Sequence, residues 1–157
     1  MAKRSKVETA QTVRQIEDAA LQQILTIGYD NMSYSTLSQA TGISRTGISH
    51  HFPRKIDFLL KLNSRIASRF VAALDFSCLN QLEHSWLRAM AHTELRAILR
   101  LFFNFCARGA DDVQQFEAIE LTRAQATEQL GEEGSKLVSE LLGRSAVILL
   151  SEQSLAA

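Results

Sequence analysis

A chain of 157 residues, nearly half of them apolar, carries enough hydrophobic material for a real core and is far from the composition of a disordered chain. Its unbroken apolar stretches, such as Ala146 to Leu150, fall well short of the roughly 18 residues a membrane-spanning helix needs, and no apolar run follows the basic start Lys3-Arg4-Ser5-Lys6 that would read as a secretory signal. The formal charge of zero conceals a split: residues 1–69 hold ten Lys/Arg and five Asp/Glu (+5), residues 70–157 seven and twelve (−5), so the first half is the one suited to phosphate.

The fold class that follows is all-α. Proline occurs once, at position 53, alternating strand-like runs are absent, and apolar residues recur with helical period. Val13, Ile16, Ala20, Ile24 and Ile27 form one stripe on a first helix, with Gly28 at its C-terminal stop and Tyr29-Asp30-Asn31 as a turn. Ser33 reads as the N-cap of a short helix over 34–40 that turns Leu37 and Ala40 inward. Thr41-Gly42 breaks it, Gly42 supplying a positive-φ position. Ile43 returns to the core and Ser44 caps a second short helix over 45–51, whose Ile48 and Phe52 share an inner face. Residues 33–52 therefore read as a helix-turn-helix.

Arg45, Thr46, Gly47, Ser49 and His50 remain on the outer face of that second helix. Small residues let a helix approach a major groove, and a guanidinium near the helix start can fork onto a guanine edge. Arg54 and Lys55 open the next helix, over 55–75, marked by Ile56, Leu59, Leu60, Ile66, Phe70 and Leu74. A helix start with basic residues is a natural phosphate site. Lys3, Arg4 and Lys6 supply a basic arm.

Further helices are expected near 79–91, 93–108, 111–130 and 134–152, punctuated by Gly109, Gly131 and Gly134. The expected division is a three-helix DNA-binding head over residues 1–54 and a helical body over 55–157. Cys78 and Cys106 have no partner at metal-ligand spacing and are expected to be reduced and buried in a cytoplasmic protein. His50 and His51 point about 100° apart and cannot chelate one metal. No phosphate loop, nucleophile elbow or His–carboxylate motif is present. No catalytic residue, metal or cofactor is therefore assigned.

Taken in order and spacing, Ala19-Ala20-Leu21, Gly28-Tyr29, Ser33 through Leu37, Thr41-Gly42-Ile43-Ser44 and Ile48 through Lys55 resemble the N-terminal signature of the TetR family of bacterial transcriptional regulators. The likeness covers roughly residues 12–60. Within that family, the run Ser44 through Pro53 is most similar to the short LuxT/SwrT-type regulators of quorum-sensing and swarming circuits.

The resemblance implies a homodimer, paired through the C-terminal bundle, with each 45–51 helix in a major groove of a palindromic operator, more in keeping with a repressor than an activator. By position, Arg45, Thr46, Gly47 and His50 would face bases. Tyr34, Ser49, His51 and Lys55 would tend toward phosphate, Ser35 or Thr36 could reach either, and Ser33 would complete the DNA-facing set. Two departures stand out: Ser49 replaces the family's usual Tyr, and Gly47 its frequent Thr or Ser.

The body in that family often holds a small effector, and the aromatic residues Trp86 and Met90, then Phe102, Phe103 and Phe105, with Asn104 as polar handle, would suit such a cavity. A packed core is the competing reading. The wide apolar face of the last helix (Leu137, Val138, Leu141, Leu142, Val147, Leu150), with small Gly143, Ser145 and Ala146, suits close packing either on its own subunit or on a twin, and the resemblance favours the twin. A helical small-molecule-binding protein whose head has lost DNA contact is the alternative function.

Overall fold

The computed structural model describes residues 6–108 and 116–155 (side chains to 107 and 151), and every regular element among them is a helix. In chain order these are α1 (Lys6–Thr26), α2 (Tyr34–Thr41), α3 (Arg45–His51), α4 (Lys55–Ala72), α5 (Leu79–Ala89), α6 (Thr93–Arg108) and α7 (Glu117–Leu155). The all-α expectation holds. Gly109 and the expected helix start at 111 lie outside the described residues, as do Lys3 and Arg4.

The chain packs as two units, the first ending at Leu62 and the second beginning at Asn63. The first unit takes in the opening turns of α4 because Phe58, Leu59 and Leu62 are buried in it beside Ile16, Ala20, Leu21, Ile24, Leu25, Met32, Leu37, Ile48 and Phe52. α2 packs on both α1 and α3. The stripe on α1 is narrower than its period suggests. Ile16, Ala20 and Ile24 are fully buried, whereas Ile27 is 45% exposed at the helix end, where Gly28 (φ +86°) turns the chain away. Ala40 is exposed rather than inward, and so is Leu60. On α2 the single buried residue Leu37 satisfies the core, and on α4 the buried face runs through Phe58, Leu59 and Leu62 and leaves Leu60 outside it.

In the second unit α7 packs against α5 and α6. Its continuous helical run hides a break at Gly131 (φ 70°, ψ −159°), so residues 117–130 and 132–155 behave as two helices joined at a corner. The corner is tight: a Cβ at Gly134 would lie 2.4 Å from the Ala126 carbonyl oxygen and 2.8 Å from Leu130 Cβ. A straight helix would separate residues 126 and 134 by ~12 Å. Buried rows Ala118, Thr122, Ala126 and then Gly134, Val138, Leu141, Ser145, Leu149 show each half meeting the core with its own phase.

Two side chains expected elsewhere belong to this core. Ser145 is buried, accepts the Trp86 indole N–H at 2.9 Å and donates to the Leu141 carbonyl, so it is a hydrogen-bond partner within the subunit rather than a free small residue. Both cysteines are free but exposed, contrary to expectation: Cys78 is the N-cap position of α5, and Cys106 lies on the outer side of the last turn of α6.

Candidate nucleic-acid interface

The helix-turn-helix is built by local chemistry. Ser33 Oγ accepts the Thr36 N–H at 3.1 Å while Thr36 Oγ1 accepts the Ser33 N–H at 2.9 Å, a reciprocal capping box that starts α2. Gly42, at φ 72°, closes α2 in the left-handed conformation, its N–H donating to the Ser38 carbonyl. Ser44 Oγ then accepts the Gly47 N–H at 3.1 Å and starts α3, and the Phe52 N–H donates back to Ile48 at its end. Ile48 and Phe52 are buried, so α3 is anchored along one side and free along the other.

On that free side Arg45, Thr46 and His50 are exposed, and Arg45 has no hydrogen-bond or ion-pair partner among the described residues. A guanidinium in this state is available to a base edge without first giving up a bond. Gly47 and Ser49 are half-buried. A Cβ at Gly47 would sit 3.1 Å from Ile43 Cγ2 and 3.2 Å from Ser44 Oγ, so the missing side chain also spares the helix cap from crowding. Ser49 donates back to the Thr46 carbonyl at 3.2 Å. The His50 and His51 rings meet edge-on, 5.3 Å apart, with His51 half-buried.

The residues expected toward phosphate are mostly engaged within the head. Tyr34 is half-buried and donates its hydroxyl proton to the Phe52 carbonyl at 2.7 Å. Thr36 donates to Gln23 Oε1 at 2.6 Å, while Gln23 Nε2 donates to the Thr36 carbonyl at 3.0 Å. Lys55 donates to the Asp30 carbonyl at 3.1 Å and lies 4.6 Å above the Tyr29 ring, a cation–π contact. Ser35 is exposed on the first turn of α2, and Ser33 is exposed with its hydroxyl in the cap.

The start of α4 differs from the open anion site expected. Asp57 Oδ2 accepts the Arg54 N–H at 2.8 Å and Asp57 Oδ1 accepts its guanidinium at 2.9 Å, so an internal carboxylate answers both charge and dipole. The Arg54 N–H first, then its side chain, hold the Asp57 carboxyl below the ordinary carboxylate value. This was readable in sequence: Arg54 and Asp57 stand at N-cap and N3, the spacing at which an acidic residue reaches back. Gln15 and Gln23, which donate to the Thr41 and Thr36 carbonyls and pin α2 to α1, carry no such signal.

The aromatic residues of the second unit separate into two groups. Trp86 and Met90 are buried, Trp86 packing edge-on against Phe70 with centroids 5.3 Å apart. Phe102, Phe103 and Phe105 are half-buried, with Phe102 and Phe105 both ringed against Phe116, and Asn104 is exposed. Trp86 satisfies its polar atom on Ser145 and fills space; no ring contact joins it to the Phe102–Phe105 group among the described residues.

A capped helix-turn-helix with one anchored face and one polar face led by the unpaired Arg45 is the geometry of a DNA-binding head. Comparison with known families agrees. The family model for bacterial regulatory proteins, tetR family, matches residues 16–62, and that of the tetracycline repressor LuxT C-terminal domain matches residues 63–149. No curated protein matches the chain. The chain belongs to the TetR family, of the LuxT type, and is a DNA-binding transcriptional regulator.

Proposed function

We propose that the protein acts as a homodimer that occupies a palindromic operator and represses transcription from it, reading bases with Arg45, Thr46 and His50. The observation that carries the base assignment is the unpaired, exposed Arg45 at the start of α3, five residues before exposed His50 on the same helix. Ser35, exposed on the first turn of α2, and His51, whose ring meets that of His50, serve the backbone. Lys55 adds a phosphate contact by exchanging its bond to Asp30 for one to DNA, and the protein acts in the cytoplasm, where the DNA is.

Pairing of the subunits is supported by α7. Val147 and Leu150 are 65% and 67% exposed, and with Ala146 and open Gly143 they form an apolar stripe opposite the buried row Val138, Leu141, Ser145, Leu149. Two copies meeting on this stripe cover it. A small effector would bind near Phe102, Phe103 and Phe105, whose rings are only half covered.

The test is operator binding by single variants. Arg45→Ala weakens binding to the selected site by about 1–3 kcal/mol and relaxes one base position per half-site. Lys55→Ala weakens binding evenly across sequences and lowers its salt dependence. If neither substitution alters binding to any duplex, the assignment of this face is wrong.

A further inference from the structure

A seven-residue helix cannot hold its own orientation. Too short to be stable alone, α3 takes its angle from what grips its two ends. Its start is gripped by the Ser44 cap. Its end is harder to secure, because Phe52 leaves the helix at φ −130°, ψ 81° and Pro53 follows, with no N–H to continue any ladder. The last carbonyls of a helix have no partner within it, and the C-terminal grip must come from outside.

Tyr34 supplies that grip. It is the first residue of α2, and its hydroxyl donates to the Phe52 carbonyl at 2.7 Å across eighteen positions of sequence. The ring beneath the bond is seated as well. Phe58, 1% exposed, stacks flat on Phe52 with centroids 4.4 Å apart and meets Tyr34 at 6.1 Å, so the three rings form one block under the end of α3. Tyr34 itself rests on an α2 that Gln23 and Gln15 pin to α1 near both ends. Burial, with the Asp57 charge second, raises the Tyr34 hydroxyl above the ordinary tyrosine value, so it keeps the proton it donates.

We infer that Tyr34 is a positioning residue for base reading: its bond to the Phe52 carbonyl fixes the rotation of α3, and it acts on DNA through Arg45, Thr46 and His50 rather than by touching phosphate. The inference rests on the proposed assignment of those three residues. A rotation of α3 by about 15° carries a group ~6 Å from the helix axis through about 1.5 Å. That displacement exceeds the ~0.5 Å spread of hydrogen-bond lengths that a bidentate base contact tolerates. Contacts to phosphate, made by long and mobile cations, absorb it. Loss of the hydroxyl therefore removes discrimination and leaves general affinity for DNA in place.

Tyr34→Phe deletes the hydroxyl and keeps the ring. The probes are a duplex selected by the wild-type protein from a random-sequence library and a scrambled duplex of the same composition. Affinity for the selected duplex falls at least about fivefold, affinity for the scrambled one stays within about twofold, and the salt dependence of both is unchanged. Undiminished discrimination overturns the inference. So does an equal loss on both duplexes with a shallower salt dependence, which would make Tyr34 a phosphate contact.

Amide exchange on the DNA-free protein provides a second measurement. The N–H groups of Ser49 through Phe52 exchange faster in Tyr34→Phe while those of Ala20 through Ile24 do not; equal exchange at the end of α3 overturns the inference. If the wild-type protein selects no duplex, the proposed function fails, and the exchange data still decide whether Tyr34 holds α3.

Discussion

Substituting Ser145 by Ala tests the core of the second unit at one atom. Trp86 and Ser145 are each about 1% exposed, and the indole N–H donates to Ser145 Oγ at 2.9 Å. With the hydroxyl gone, water cannot reach the orphaned donor, and an unsatisfied buried N–H costs about 1–3 kcal/mol. Alanine returns up to ~0.5 kcal/mol of helix propensity. The net loss is about 0.5–3 kcal/mol, and in a chain of this size each kcal/mol moves Tm by about 2–4 °C. The expected fall is therefore about 1–12 °C at a fixed protomer concentration.

Trp86 is the chain's one tryptophan, so its fluorescence follows urea unfolding of Ser145→Ala directly. Circular dichroism follows the Trp86→Phe background, in which the donor is absent and Ser145→Ala becomes nearly neutral. A coupling of about 1 kcal/mol between the two substitutions is expected. If Ser145→Ala costs the same in both backgrounds, the bond contributes nothing and the reasoning from burial fails.

Three further outcomes follow from other parts of the molecule. Gly134→Ala places a Cβ 2.4 Å from the Ala126 carbonyl oxygen and forces the α7 corner apart, a loss of about 1–3 kcal/mol in urea unfolding; Ser139→Ala, exposed on the same helix, stays within about 0.5 kcal/mol. The Asp57 carboxyl lies below its ordinary value in the folded chain, so its contribution to stability is present above the unfolded value of ~3.9 and is lost as pH falls through the lower folded one. Asp57→Asn consequently differs from wild type most near neutrality, and a stability gap that does not narrow on acidification contradicts this. Val147→Glu and Leu150→Glu put charges on the exposed α7 stripe and shift sedimentation from the proposed dimer to monomer without unfolding the chain; a wild-type chain that sediments as a monomer, or variants that sediment as the wild type does, would contradict pairing on this stripe.

Features encoded within a few residues were legible in the sequence. Ser33, Gly42 and Ser44 set the caps and the turn because their chemistry acts on N–H groups three residues away, and Gly28 and Gly131 mark a stop and a corner because only glycine tolerates the φ they need. Contacts across long separations left no such mark. Ser145 reads as a small residue fit for close approach until its partner, 59 positions away, is seen. Tyr34 reads as a surface phosphate donor because nothing in the 33–52 segment announces that its hydroxyl turns inward to Phe52. Periodicity likewise gives the direction of a buried stripe and not its width, which is why Ile27, Ala40 and Leu60 are exposed.

The proposed base-reading face of α3 is tested most directly by recovering the DNA fragments that the purified protein retains from a fragmented bacterial genome and mapping protection on the enriched sequence. The expected result is one motif of two inverted half-sites, with protection centred on major grooves about one helical turn or a multiple apart and with one base position in each half-site that Arg45→Ala no longer discriminates. Retention without any enriched sequence, or an enriched sequence to which Arg45→Ala binds as well as the wild-type protein, would contradict it.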